Sequence, residues 1–140
     1  MRYFKVIYIL MLLIPSKAFA LIEVDITRGN LNPLPIAVSP LSLDANSKTE
    51  FKKILNKDDI GSEISKVVEN NLRASGLFNP LDKDAFLQKP DIAHLKPRFE
   101  DWSLIKAQAL ITGKVIFQDE KLRVEFRLWD VLAGKEMMAL

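Results

Sequence analysis

Cysteine is absent from this chain, which excludes disulfides, thiolate metal sites, cysteine nucleophiles and a lipid-modified cysteine anchor. Its stability must therefore come from packing. Histidine occurs once, as His94. Zinc sites and nucleophile–base pairs need several convergent groups, and the neighbours Asp91, Leu95 and Lys96 offer no ligand spacing, so His94 reads as an ordinary loop histidine. The five glycines are scattered; no phosphate-cradling loop can be drawn from them, and no Gly-x-Ser-x-Gly nucleophile elbow occurs. A strong excess of one charge is missing too, with 20 basic residues against 18 acidic. The lysines are interspersed with acids, which argues against a nucleic-acid partner.

What is present begins with an export signal. Arg2 and Lys5 form a basic start, Val6 to Ile14 is an unbroken apolar run, and Pro15 ends it. Ala18-Phe19-Ala20 then supplies the small residues a signal peptidase requires, so cleavage is expected between Ala20 and Leu21. The nine apolar residues of that run fall well short of the roughly 20 needed to cross a bilayer, which argues against a stable membrane anchor. Loss of Arg2, Lys5 and Lys17 leaves 120 residues with 17 basic and 18 acidic groups. That is a single-domain length, able to bury roughly two-thirds of its unfolded surface.

Ile22, Val24 and Ile26 alternate with Glu23, Asp25 and Thr27, the period of a half-buried strand. Arg28-Gly29-Asn30 is a turn signal, and Pro33 and Pro35 disfavour a continuing strand. Residues 21–34 therefore read as a detachable arm and linker, and 35–140 as the domain. Ile36 to Ser39 is expected to be a short buried strand. Ser47 to Glu50 matches a capping box ahead of a helix to about Asn56. A stronger helix is predicted over Ile60 to Ala74, capped by Asp58 or Asp59, with Ile60, Ile64, Val67, Val68 and Leu72 as its apolar stripe. Gly76 is placed to take the left-handed position after it, with Leu77 against Leu72 as in a Schellman motif.

Lys83 to Gln88 suggests one helical turn, and Pro90 and Pro97 mark a loop-rich crossover. Phe99, Trp102 and Ile105 share a helical face. Ala109 to Phe117 and Leu122 to Trp129 form the clearest hairpin, around Gln118-Asp119-Glu120. Asp130 to Gly134 is a further turn, and a third strand starts at Lys135. Together these elements predict an α/β layer fold, with helices packed on a small mixed sheet and a C-terminal meander that is incomplete. Such an ending predicts an exposed edge.

Catalytic chemistry finds little support. The acid pairs Asp58-Asp59 and Glu100-Asp101 stand at predicted helix starts, where carboxylates satisfy free amides and the dipole. Trp102 and Trp129 read as core aromatics more readily than as interface anchors. No catalytic, metal-binding or cofactor-binding residue is assigned, and the chain is expected to act by binding.

Four strings carry a resemblance: PIAVSP from Pro35 to Pro40, SGLFNPLD from Ser75 to Asp82, ALITGKV from Ala109 to Val115, and VEFRLWDVLAG from Val124 to Gly134. In this order they resemble the N-terminal domain of the TolB family, a periplasmic component of the Tol-Pal envelope system. The resemblance runs from about Val24 to the end. It implies a periplasmic, non-enzymatic protein without cofactors, supporting outer-membrane integrity and invagination during cell division. Its family architecture is an α/β domain followed by a β-propeller. The implied partners are TolA and Pal, Pal mainly through the propeller, which is absent here. The matching arm is Ile22, Glu23, Val24, Asp25, Ile26, Thr27 and Gly29, joined to the domain at Pro35 and Ile36. The chain departs from the family pattern in a longer, lysine-rich Leu43 to Lys57 region and in stopping before the domain's remaining elements. An alternative reading is an unstable fragment of a split or decayed gene.

Overall fold

The computed structural model describes residues 32–56 and 59–140, without the side chain of Leu55. They form a mixed, open sheet with helices on both faces. The strands are β1 (Leu34–Val38), β2 (Ser42–Leu43), β3 (Phe78–Pro80), β4 (Ala109–Gln118), β5 (Lys121–Asp130) and β6 (Lys135–Ala139). Their order is β3-β1-β4-β5-β6, with β2 also paired to β4. The β1 pairings with β3 and β4 are parallel, as is that of β2 with β4. The β4-β5-β6 meander is antiparallel. The helices are α1 (Ala45–Leu55), α2 (Ile60–Ala74), α3 (Pro90–Ala93) and α4 (Phe99–Leu104).

Alternation along β4 builds two cores. Leu110, opposite Trp129, joins Ala37, Ala93, Trp102, Ala107 and Val131 on the α3–α4 face. Val115, opposite Val124, joins Leu41 and Phe51 on the α1–α2 face. Because both faces are covered, β4 is buried at five of its ten positions and exposed at only one, as suits a central strand. Full burial of Leu110 and of Val115 contributes roughly 1.5–3 kcal/mol each. Trp102 and Trp129 are core residues, as expected, at 1% and 8% exposure. Each indole N–H has a partner: Trp129 Nε1 donates to Thr112 Oγ1 at 2.8 Å and Trp102 Nε1 to Gln88 Oε1 at 3.1 Å.

Several expectations need correction. Pro35 lies inside β1, which starts at Leu34 and not at Ile36. Leu34 and Ile36 direct their backbone groups to the β3 side, whereas the Pro35 carbonyl accepts from Gln108 on the β4 side. Its missing N–H therefore faces the point where β4 has barely begun, and the ladder loses little. The Phe78–Pro80 segment, for which no element was expected, is a parallel edge strand. The cap of α1 is Asp44, not Ser47: Asp44 Oδ1 accepts from Ser47 N at 2.7 Å. Ser47 is wholly buried, and its hydroxyl accepts from Phe117 N at 2.9 Å. The short Asp carboxylate reaches the N3 amide directly, freeing Ser47 to tie the helix to β4.

Helix α2 has the predicted bounds and Asp59 as its cap, accepting from Ser62 N at 3.0 Å. Its apolar stripe is rotated, however. Val67 is 59% exposed, and the fully buried positions are Gly61 and Ser65. The helix approaches so closely that a Cβ on Gly61 would stand 2.1 Å from the Leu41 carbonyl oxygen; small residues are what this contact admits. Beyond the helix, Gly76 has φ +72° as predicted, and its N–H reaches Arg73 O at 3.1 Å. The second Schellman bond is replaced by a relay. Leu77 N donates to Ser75 Oγ at 3.2 Å, which donates to Leu72 O at 2.6 Å. Leu77 remains 54% exposed, so the expected hydrophobic closure gives way to the serine hydroxyl.

The β4–β5 hairpin closes on Asp119 and Glu120, both with positive φ (51° and 58°), as a two-residue I′-type turn requires. Asp130 organises the next turn by accepting from Ala133 N at 2.8 Å.

Candidate interaction surface

The two ends of the sheet differ. At the β3 edge, Leu77 O and Leu81 N bond to β1, so Pro80 turns its N-side outward. The absent N–H removes a donor from the unpaired rim and blunts that edge. At the opposite edge every residue of β6 is exposed. Leu140 exchanges both backbone bonds with Phe126, at 2.9 and 3.0 Å. By the antiparallel alternation, Ala139 points its N–H and C=O away from the sheet. An extended segment could add there as a further strand.

The two faces beside that edge are chemically distinct. On one, Arg127 Nη1 pairs with Glu136 Oε2 at 3.1 Å and Arg123 Nε with Glu125 Oε1 at 3.3 Å. On the other, Phe126, Leu128, Met138 and Leu140 join Ile111 and Val68 around an apolar groove of about 230 Å³. Met138 and Leu140 are 52% and 79% exposed. A second open cleft, between Leu104 and Leu132, is floored by Phe99 and Val131. Large exposed apolar groups of this kind mark contact surfaces.

The groups read in the sequence for chemistry do not converge. Among the described residues no set of three or more His, Asp or Glu side chains is placed to hold a metal ion. Asp59 is a helix cap, and Asp58 lies outside the described residues. Glu100 and Asp101 occupy the first turn of α4 without making a side-chain cap. Asp101 pairs instead with Arg98 at 2.6 Å, because the i,i+3 spacing brings the guanidinium back over the turn. His94 departs most from its reading as an ordinary loop residue. It ends α3 and is only 5% exposed, and burial, then the Arg127 charge, lowers its pKa from 6.5.

Ala18, Ala20 and Leu21 of the expected cleavage site lie outside the described residues, as does the arm with Ile22, Glu23, Val24, Asp25, Ile26, Thr27 and Gly29. Pro35 and Ile36, at the join, are the described part of that match and sit in β1. The groove escaped sequence reading. Its one available signal was the apolar alternation of Leu122, Val124, Phe126 and Leu128, which says that a face is apolar but not that it is left open.

Among the described residues, fold and surface thus define a layered α/β domain with one blunted edge, one edge without a further strand and an apolar groove beside the latter. A sequence profile described as the TolB amino-terminal domain matches residues 22–137, and the chain belongs to that family. It is 79% identical over 136 residues to the Tol-Pal system protein TolB of Pelagibacter ubique (strain HTCC1062). The match takes in 97% of this chain, which spans about 30% of that curated relative's length. Among solved structures, TolB from Acinetobacter baumannii superposes with a TM-score of 0.54 at 18% identity, covering 77% of this chain and 22% of that one. The LpoB C-terminal domain from Salmonella enterica gives 0.51 at 11% identity, covering 79% and 82% respectively. These two likenesses describe the fold alone. No described helix is long and apolar enough to cross a membrane.

Proposed function

We propose that this chain is a non-catalytic interaction module of the Tol-Pal system, working in the periplasm after cleavage between Ala20 and Leu21. Through that system it supports outer-membrane integrity and invagination during division. The observation that carries this reading is the 79% identity to a protein named for the Tol-Pal system. The open β6 edge and its groove supply a physical means of binding. The arm residues Ile22, Glu23, Val24, Asp25, Ile26, Thr27 and Gly29 are the proposed contact for TolA. Pal is the second proposed partner, with a longer chain carrying its main contact.

Periplasmic cross-linking of a full-length version is expected to recover TolA and Pal, and the changes Val24→Asp and Ile26→Asp to reduce the TolA product. Recovery of neither protein counts against the proposal. N-terminal sequencing of the exported form should begin at Leu21. A second reading, a fragment that does not hold its fold, draws on the exposed Met137, Met138 and Leu140. A cooperative thermal transition of the chain at ordinary mesophile temperatures removes that reading.

A further inference from the structure

The segment from Gln88 to Arg98 is an excursion closed at its base by one side chain. Gln88 Nε2 donates to Lys96 O at 3.1 Å, and Gln88 Oε1 accepts from Arg98 N at 2.9 Å. Between those bonds the chain touches the body of the domain through few groups. Ala93, His94 and Pro97 are buried, while Asp91, Ile92, Leu95 and Lys96 are exposed. The α3 turn within it has four residues, too short to persist without packing. Of the three buried side chains, the imidazole is the one whose charge changes near neutrality.

The surroundings of His94 suit the neutral ring. Its Nδ1 is sealed from solvent and has no hydrogen-bond partner among the described residues. From the sheet, Lys114 on β4 and Arg127 and Glu125 on β5 act on it. Arg127 is already paired with Glu136. Asp91 on its own helix and Asp44 ahead of α1 line the same cleft, with Ser42, Leu43 and Leu95. Two cations and one carboxylate thus face the ring from the sheet, and no acceptor holds Nδ1. A proton gained at Nδ1 is buried with no acceptor of its own, and burial and the two sheet cations outweigh Glu125.

We propose that His94 is a proton-operated latch, whose protonation releases the Gln88–Arg98 excursion from the sheet while the β4–β5 core stays folded. In the released form the imidazole regains water, so the open form takes up the proton more readily than the closed one. Opening is therefore suppressed above the ordinary imidazole value of 6.5 and grows as pH falls below it. Between the two pKa values it grows by up to about tenfold per pH unit.

The test is amide hydrogen exchange on the full chain at pH 7.5 and 5.5, corrected for intrinsic rates. The reporters are the amides of Ala93, His94 and Lys96, which bond to Lys89 O, Pro90 O and Ile92 O at 3.0 Å each. Their protection is expected to fall at pH 5.5, by no more than about tenfold, with β4 and β5 amides unchanged. In His94→Gln, which cannot titrate, the response should be flat. An NMR titration of unmodified His94 gives a second reading should that variant not fold, and a midpoint below 6.5 is expected. Unchanged protection, equal loss across β4 and β5, a persisting response in His94→Gln, or a midpoint at or above 6.5 each overturns the latch.

Discussion

Replacing Gln88 by methionine removes three hydrogen bonds from a residue that is 4% exposed, while nearly conserving side-chain length. The consequence differs by partner. Trp102 is 1% exposed, so its indole N–H is left without water or protein, a loss of about 1–3 kcal/mol. Arg98 N and Lys96 O are only part-buried and can regain water, so each loses only the net value of a bond, about 0.5–1.5 kcal/mol. Methionine fills much of the vacated space and offsets little of this. The expected destabilisation is about 2–6 kcal/mol by denaturant titration, or a melting temperature lower by roughly 10–20 °C. Gln88→Glu separates the terms: it keeps the acceptors for Arg98 and Trp102 but loses the donor to Lys96 and buries a charge. Leu87→Ala, beside it and 60% exposed, should stay within about 0.5 kcal/mol. If Gln88→Met costs no more than Leu87→Ala, the carboxamide is not the clasp of the excursion and the reasoning fails.

Gly61→Ala tests the close approach of α2. Helix propensity alone favours alanine by about 1 kcal/mol, but a methyl 2.1 Å from a backbone oxygen must move the helix, and a net loss of roughly 2 kcal/mol is expected in urea. A stabilised variant contradicts the packing described. Ser75→Ala removes the relay that closes α2, with an expected loss of about 0.5–1.5 kcal/mol in thermal unfolding. Equal stability would show that water serves Leu77 N and Leu72 O as well. The carboxyl of Asp44 is held below 3.8 by the Ser47 amide, then by the Ser47 hydroxyl. Its contribution is full above that unfolded value and is lost as pH falls through the lowered folded one. Acid titration of Asp44→Ala should therefore begin about 1 kcal/mol less stable at neutral pH and converge on the parent at low pH. A gap that persists at low pH refutes the assignment.

Elements whose causes are local could be read directly. The bounds of α2 follow from an aspartate cap and a glycine stop, and the β4–β5 hairpin from alternation around a polar turn; neither needs a distant residue. Most misreadings involve a partner remote in sequence, the Ser75 relay that closes α2 being local. Ser47 looked like a cap because its spacing to Glu50 is right, but Phe117, 70 positions away, uses its hydroxyl. Val67 fits the apolar spacing as well as Val68 does, and the seating of Gly61 on Leu41 decides which of them turns inward. His94 gave no local sign of burial, because the sheet residues that enclose it are 20 or more positions away in the chain.

By itself the sequence determined the absence of thiol chemistry, helix α2, the β4–β5 hairpin and the family, since these reside in composition, periodicity and short strings. Only the tertiary structure decided where the apolar groove lies and that the lone histidine is enclosed. Those properties depend on which faces meet, and the backbone period constrains each face separately without specifying what covers it.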